Sequence, residues 1–307
     1  AWYKLGVARI YLSRYEDALE AFGKSLDLQP DHAGSYYYTG LAHAKLGRLK
    51  ESIDSFEQVL ILDSGCASAA LQQGLSYANL GRFSEAVTAY DLALNINPGY
   101  ADALYHKGFA LAKLGKSEDA IAEFDKTLSE DRNNALAYHQ KGILLSKTGR
   151  YEDAIIAFDE SIRIRPGYAQ SFYDKGIALL KLERFEDAID VFANALHINP
   201  NYVNAWYYQG IAFLELHRFE EAIGAFDHAL EIDPIHTLAL YNRGAALMNM
   251  QDYAGAVLAF NSLLAVSPQY TAAIYEKALA LLSLSRFREA SKTFDEALDL
   301  NPSLADA

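Results

Sequence analysis

Residues 135–168 read ALAYHQKGILLSKTGRYEDAIIAFDESIRIRPGY. Ala154, Phe158 and Ile162 recur at every fourth residue, the apolar stripe of an amphipathic helix. One helix is expected over 135–148 and a second over 152–163. Gly149 between them suits a left-handed helix end, and Pro166 stops the second helix.

This 34-residue frame recurs in both directions. The seven prolines stand at Pro30, Pro98, Pro166, Pro200, Pro234, Pro268 and Pro302, always 34 or 68 residues apart, with Ser64 and Arg132 in the two skipped places. Gly6, Gly40, Gly74, Gly108, Gly142, Gly176, Gly210 and Gly244 keep the same step, and Ala278 takes the ninth place. An aromatic column runs Phe22, Phe56, Tyr90, Phe124, Phe158, Phe192, Phe226, Phe260 and Phe294, and a small-residue column runs from Ala18 through Ser52 to Ala290. The register gives repeats at residues 1–32, 33–66, 67–100, 101–134, 135–168, 169–202, 203–236, 237–270 and 271–304, with 305–307 opening a tenth. One such unit cannot bury its apolar face alone, so the units must stack, and a single all-α solenoid over residues 1–307 is expected. Gly47, Gly81, Gly115 and Gly149 occupy the turn early in the chain. Glu183, His217 and Gln251 replace them later, where the turn is expected to cost more or to close differently.

Trp2-(x2)-Leu5-Gly6, followed by Ala18, Phe22 and Pro30, resembles the tetratricopeptide repeat, and the likeness extends over essentially the whole chain, nine times. The resemblance implies stacked helix pairs in a right-handed superhelix, with the first helix of each pair lining a concave groove that holds a protein or peptide segment.

Composition narrows the function. Lys and Arg number 27 against 40 Asp and Glu, a net charge of −13, which opposes nucleic-acid binding. A 51% hydrophobic content excludes a disordered tail. No apolar run approaches the roughly 20 residues of a membrane span. The lone Cys66 cannot form an intramolecular disulfide, and no signal segment opens the chain, so a cytoplasmic setting is expected. The opening Ala1-Trp2-Tyr3-Lys4 reads as the interior of a longer protein.

Groove-facing residues sit at fixed offsets from the first-helix glycine. Three before it come Tyr3, Tyr37, Leu71, Tyr105, His139, Tyr173, Tyr207, Tyr241 and Tyr275. Two before it come Lys4, Tyr38, Gln72, His106, Gln140, Asp174, Tyr208, Asn242 and Glu276. Directly after it come Val7, Leu41, Leu75, Phe109, Ile143, Ile177, Ile211, Ala245 and Leu279, and five after it Tyr11, Lys45, Asn79, Lys113, Lys147, Lys181, Glu215, Asn249 and Ser283. Tyrosine offers flat amphipathic contact at low entropic cost, although the same rings could equally pack on their neighbours. The apolar column suits an apolar or amphipathic segment, or else it is core between repeats. Lys113, Lys147 and Lys181 form a basic row with His106 and His139 nearby, which suits an acidic stretch of ligand. The first helices carry eleven basic and four acidic residues, and the remainder of the chain is correspondingly acidic.

Several chemistries drop out. The lysine and asparagine pattern of the family's chaperone-tail clamps is missing, and Asn204, Asn242 and Asn249 are too sparse for an asparagine ladder. Gly115-Lys116-Ser117 lacks the upstream glycine and strand of a phosphate loop. His106 and His139 are expected to be solvated and do not make the three or four ligands of a zinc site. No enzyme activity, cofactor, metal, nucleic acid or membrane is expected. An apolar end face around Leu281, Phe294 and Leu298 is expected to promote end-to-end self-association. The sequence therefore reads as a non-catalytic interaction scaffold; the alternatives are a fragment of a larger enzyme or signalling protein, or a self-associating architectural element.

Overall fold

The computed structural model describes residues 1–302, and among them are eighteen α-helices and no strand. They form two compact units, Ala1–Arg150 and a second starting at Tyr151. The first unit holds α1 (Trp2–Tyr11), α2 (Tyr15–Leu28), α3 (Ala33–Lys45), α4 (Leu49–Leu62), α5 (Ala67–Asn79), α6 (Phe83–Ile96), α7 (Ala101–Lys113), α8 (Ser117–Glu130) and α9 (Ala135–Lys147). The second holds α10 (Tyr151–Ile164), α11 (Ala169–Lys181), α12 (Phe185–Ile198), α13 (Val203–Glu215), α14 (Phe219–Ile232), α15 (Thr237–Asn249), α16 (Tyr253–Val266), α17 (Thr271–Ser283) and α18 (Phe287–Leu300). The observed helix limits in the 135–168 frame differ from the expected ones by a single residue. No described helix is long and apolar enough to cross a membrane.

Within each unit every helix packs on its sequence neighbours. Odd-numbered helices also touch the next odd-numbered helix of the same unit (α1 on α3, α11 on α13), whereas within each unit no two even-numbered helices touch among the described residues. The odd-numbered, first helices therefore lie on the tighter, inner side of each unit.

The core repeats with the sequence. Phe22, Phe56, Tyr90, Phe124, Phe158, Phe192, Phe226 and Phe260 are fully buried, as are most members of the small-residue column. Phe22, Phe56, Tyr90, Phe124, Phe192, Phe226 and Phe260 each lie against the glycine of their partner helix. A Cβ added to Gly176, Gly210 or Gly244 would stand 2.5 Å from the ring of Phe192, Phe226 or Phe260, a distance no real Cβ tolerates. In the ninth pair Ala278 supplies that methyl group, and Phe294 is only half-buried.

The turns decide between the two expected alternatives. Glu183, His217 and Gln251 adopt the same left-handed backbone as the glycines, with φ of 58, 57 and 62° against 74–81°. Ser13 and Ser285 do the same, which the sequence reading missed. The closing hydrogen bond is also unchanged, Arg184 N–H to the Leu179 carbonyl at 3.0 Å as Arg150 N–H to that of Leu145 at 2.9 Å. These turns are strained and not remade. The residue after the turn starts the next helix, and its side chain reaches one turn forward: Arg82 to Glu85, Arg184 to Asp187, Arg218 to Glu221. Asp252 breaks the column but accepts from Gly255 N–H at 2.9 Å, an ordinary N-cap.

The end face also differs from expectation. Leu281 is buried, Phe294 and Leu298 are half-buried, and the exposed apolar residues of the ninth pair are Phe287, at 63%, Leu282 and Leu300. Residues 305–307, the expected opening of a tenth repeat, lie outside the described residues.

Three outcomes are expected in chemical denaturation. Gly176→Ala should lose ~1–3 kcal/mol as Phe192 is displaced, while Glu183→Gly should gain about 1 kcal/mol by relieving the left-handed strain. Buried Ser161 and Ser171 share a hydrogen bond of 2.8 Å, and the same places are Ala195 and Ala205 one repeat later. Ser161→Ala alone should cost ~1–2 kcal/mol by orphaning a hydroxyl, and the double alanine variant should recover most of it.

Candidate binding face

The inner side of each unit displays the four columns read from the sequence, and helix geometry sorts them by depth. Residues five after the glycine are all exposed, and those directly after it are all half-buried. Side chains three before the glycine pack down on the ring of their own pair: Tyr37 on Phe56 at 5.7 Å, Tyr105 on Phe124 at 5.8 Å, Tyr173 on Phe192 at 6.1 Å, Tyr241 on Phe260 at 6.1 Å and Tyr275 on Phe294 at 5.7 Å between centroids. They also meet the residue two before the glycine of the next repeat. Tyr173 lies 6.0 Å from Tyr208, Tyr3 5.9 Å from Tyr38, and Asn242 donates its amide to the Tyr207 hydroxyl at 3.2 Å.

The tyrosine ladder is thus half wall and half core. Tyr37, Tyr38, Tyr105, Tyr173, Tyr208, Tyr241 and Tyr275 are half-buried, as are His106, Asn242, Phe109, Ile143 and Ile177. Tyr207 is 9% exposed and His139 only 2%. The expected solvation of His139 is therefore overturned, because its position points into the packing between repeats. His106 lies against the Tyr90 ring at 6.1 Å, and burial lowers its pKa despite the nearby Asp102. Among the described residues no group of three or more His, Cys, Asp or Glu is placed to hold a metal ion.

A further column escaped the sequence reading. Tyr202 and Tyr270, two residues after proline, close back on the first-helix tyrosine of their own repeat, Tyr202 on Tyr173 at 4.9 Å and Tyr270 on Tyr241 at 5.5 Å. Tyr202 also donates to Gln170 Oε1 at 2.7 Å. The 34-residue recurrence of tyrosine beside proline was the available signal. Burial is the main cause raising the phenol pKa of Tyr37, Tyr173, Tyr202, Tyr207 and Tyr241, and neighbouring phenols or carboxylates add to it.

Charge on the first helices divides in two. One residue before the glycine, cations reach back sixteen residues to the preceding second helix: Lys107 to Asp91 at 2.8 Å, Lys141 to Asp125 at 2.5 Å, Lys175 to Asp159 at 2.6 Å and Arg243 to Asp227 at 2.5 Å. Lys107 also holds buried Glu123 at 2.9 Å, and these two carboxylates outweigh burial to raise its pKa. Five residues after the glycine, Lys45, Lys113, Lys147 and Lys181 are exposed and make no ion pair among the described residues. The Lys113 ammonium rests over the Phe109 ring at 5.2 Å. The positive surplus of the first helices is therefore only partly available to a ligand.

Stacked helix pairs with one side chain register displayed along their inner helices define an α-solenoid of helix-turn-helix units. The family model of the tetratricopeptide repeat matches residues 3–65, 107–169, 173–235 and 241–305, and that of the TPR repeat matches residues 74–115. The chain belongs to the tetratricopeptide repeat (TPR) family. Among solved structures it is similar to YrrB, described as a TPR protein with an unusual peptide-binding site, at 25% identity and a TM-score of 0.54, covering 61% of this chain and 96% of that one. MamA aligns at 25% identity with a TM-score of 0.51, over 52% of this chain and 94% of its own. The C-terminal part of a TPR repeat-containing protein from Cytophaga hutchinsonii shares the fold at 18% identity and a TM-score of 0.69, over 78% and 98% of the two chains. Among curated proteins none matches the chain in sequence.

The buried phenols set an alkaline limit on stability. Their folded pKa lies above the unfolded value of 10.0, so above that pH the unfolded chain releases protons that the folded chain retains, and stability falls as pH rises. Ultraviolet phenolate titration should show a late-ionising set, with Tyr173→Phe and Tyr202→Phe shrinking that set.

Proposed function

We propose that the repeats act as a non-catalytic scaffold that holds an acidic, apolar-studded protein segment along the inner helices. The observation that carries the reading is the sorting of lysines: those one before the glycine are tied to carboxylates, while Lys45, Lys113, Lys147 and Lys181 stand exposed and unpaired. Next to them Phe109, Ile143 and Ile177 lie one helical turn away and half-buried, so each lysine tops an apolar patch. A rigid face of this kind loses little entropy on binding. The peptide-binding site ascribed to YrrB supports the same reading by likeness.

The test uses acidic amphipathic peptides selected by display against the protein. Changing Lys45, Lys113 and Lys147, all in the first unit, together to Glu should weaken them about tenfold or more, since each exposed charge contact is worth ~0.5–1 kcal/mol. Lys292→Glu, on a second helix, should leave affinity unchanged. Equal affinity of the triple variant and the parent in fluorescence anisotropy would remove the proposal.

A further inference from the structure

Repeats eight and nine depart from the pattern in two adjacent places, and neither departure is compensated within the protein. Glu276 of α17 stands two before the ninth-repeat position, where five other repeats carry neutral Tyr38, Gln72, Gln140, Tyr208 or Asn242, and the one other acid of the column, Asp174, accepts from the Gln170 side-chain amide at 3.1 Å. Packing therefore does not require a carboxylate there. Glu276 is half-buried and makes no hydrogen bond or ion pair among the described residues. Burial raises its pKa with no cation to offset it, and its charge in turn raises that of Tyr241. A half-buried, unpaired carboxylate costs stability.

The second departure lies one turn from Tyr241 on α15. Ala245 directly follows the glycine, a place held in every other repeat by Val, Leu, Ile or Phe. Ala245 is half-buried and offers one methyl group where a branched or aromatic side chain stands elsewhere. Tyr241, one turn before it, pairs with Tyr270, with ring centroids 5.5 Å apart and planes inclined by 34°. The loop Ser267-Pro268-Gln269-Tyr270 borders an open cleft.

A methyl group, two tyrosine faces and a lone carboxylate match one chemistry. The aliphatic stem of a long basic side chain packs on the methyl group, aromatic faces attract its cation, and the carboxylate neutralises it. We propose that Tyr241, Ala245, Tyr270 and Glu276 form a subsite for a Lys or Arg side chain of a bound protein segment. The inference rests on the inner helices being the binding face and adds to it a basic anchor in the second unit, distinct from the acidic stretch suited to the lysine row.

The experiment titrates the blocked peptide acetyl-Ala-Arg-Ala-Arg-Ala-amide, and its glutamate counterpart, into the isotopically labelled chain at low salt, with chemical shifts read by NMR. The arginine peptide should perturb Tyr241, Ala245 and Glu276 first, and high salt should reverse it. Glu276→Gln and Ala245→Leu should each weaken it about fivefold, the worth of one cation–π or charge contact. Glu276→Gln should at the same time raise the Tm of the free protein, which separates lost binding from lost folding. Equal affinity for the parent and Glu276→Gln, or shifts confined to second helices, would overturn the subsite. Inner-helix shifts with the glutamate peptide alone would overturn the subsite and leave the broader reading standing. Silence from the inner helices with both peptides would overturn both.

Discussion

The contact between a helix glycine and the aromatic ring of its partner helix sets the geometry of seven of the repeats. Without a Cβ at Gly176, the Phe192 ring lies directly on the α11 backbone, and the two helices close to a distance that no other residue permits. The ring is then fully buried, and the small residue four before it, Ala188, is buried as well. Because the same contact recurs, the hairpins are nearly identical, and identical hairpins stack with identical offsets. The first helices are thereby brought together on the inner side, and their side chains fall into columns. In the ninth pair, where Ala278 takes the place of the glycine, Phe294 is half-buried.

Electrostatics divides along the same register. A cation one before the glycine meets an acid sixteen residues earlier and joins two successive pairs, whereas a cation six places further along its helix makes no ion pair among the described residues. Half-buried pairs such as Lys175 and Asp159 orient the stack more than they stabilise it. Net charge, and even the charge of a helix, is therefore a poor guide to what the inner face offers. The position within the repeat is the better one.

Departures from the consensus mostly come with their own remedy. In the third repeat Leu71 stands where others have Tyr or His, and it packs with Tyr90, which stands where others have Phe. Asp252 replaces a helix-opening basic residue and Gly255 replaces the acid it would bind, yet the pair still caps the helix. Gln209 lacks a carboxylate at residue 193 and donates to the Ile189 carbonyl at 3.2 Å. Against that background an uncompensated departure on the inner face stands out as an adaptation to something outside the chain.

The sequence by itself determined the period, the all-α class, the helix limits to within a residue and the columns of the candidate face, because all of these follow from spacing along the chain. It also identified the glycine turns, since only glycine enters the left-handed region freely. Only the tertiary structure decided which members of a column are exposed. His139 is buried, Leu281 is covered, and the lysines divide into tied and free, because each outcome depends on a side chain contributed by a neighbouring helix. The turns at Glu183, His217 and Gln251 belong to the same class: the surrounding stack imposes a backbone that their own preferences oppose, and no local pattern records that constraint.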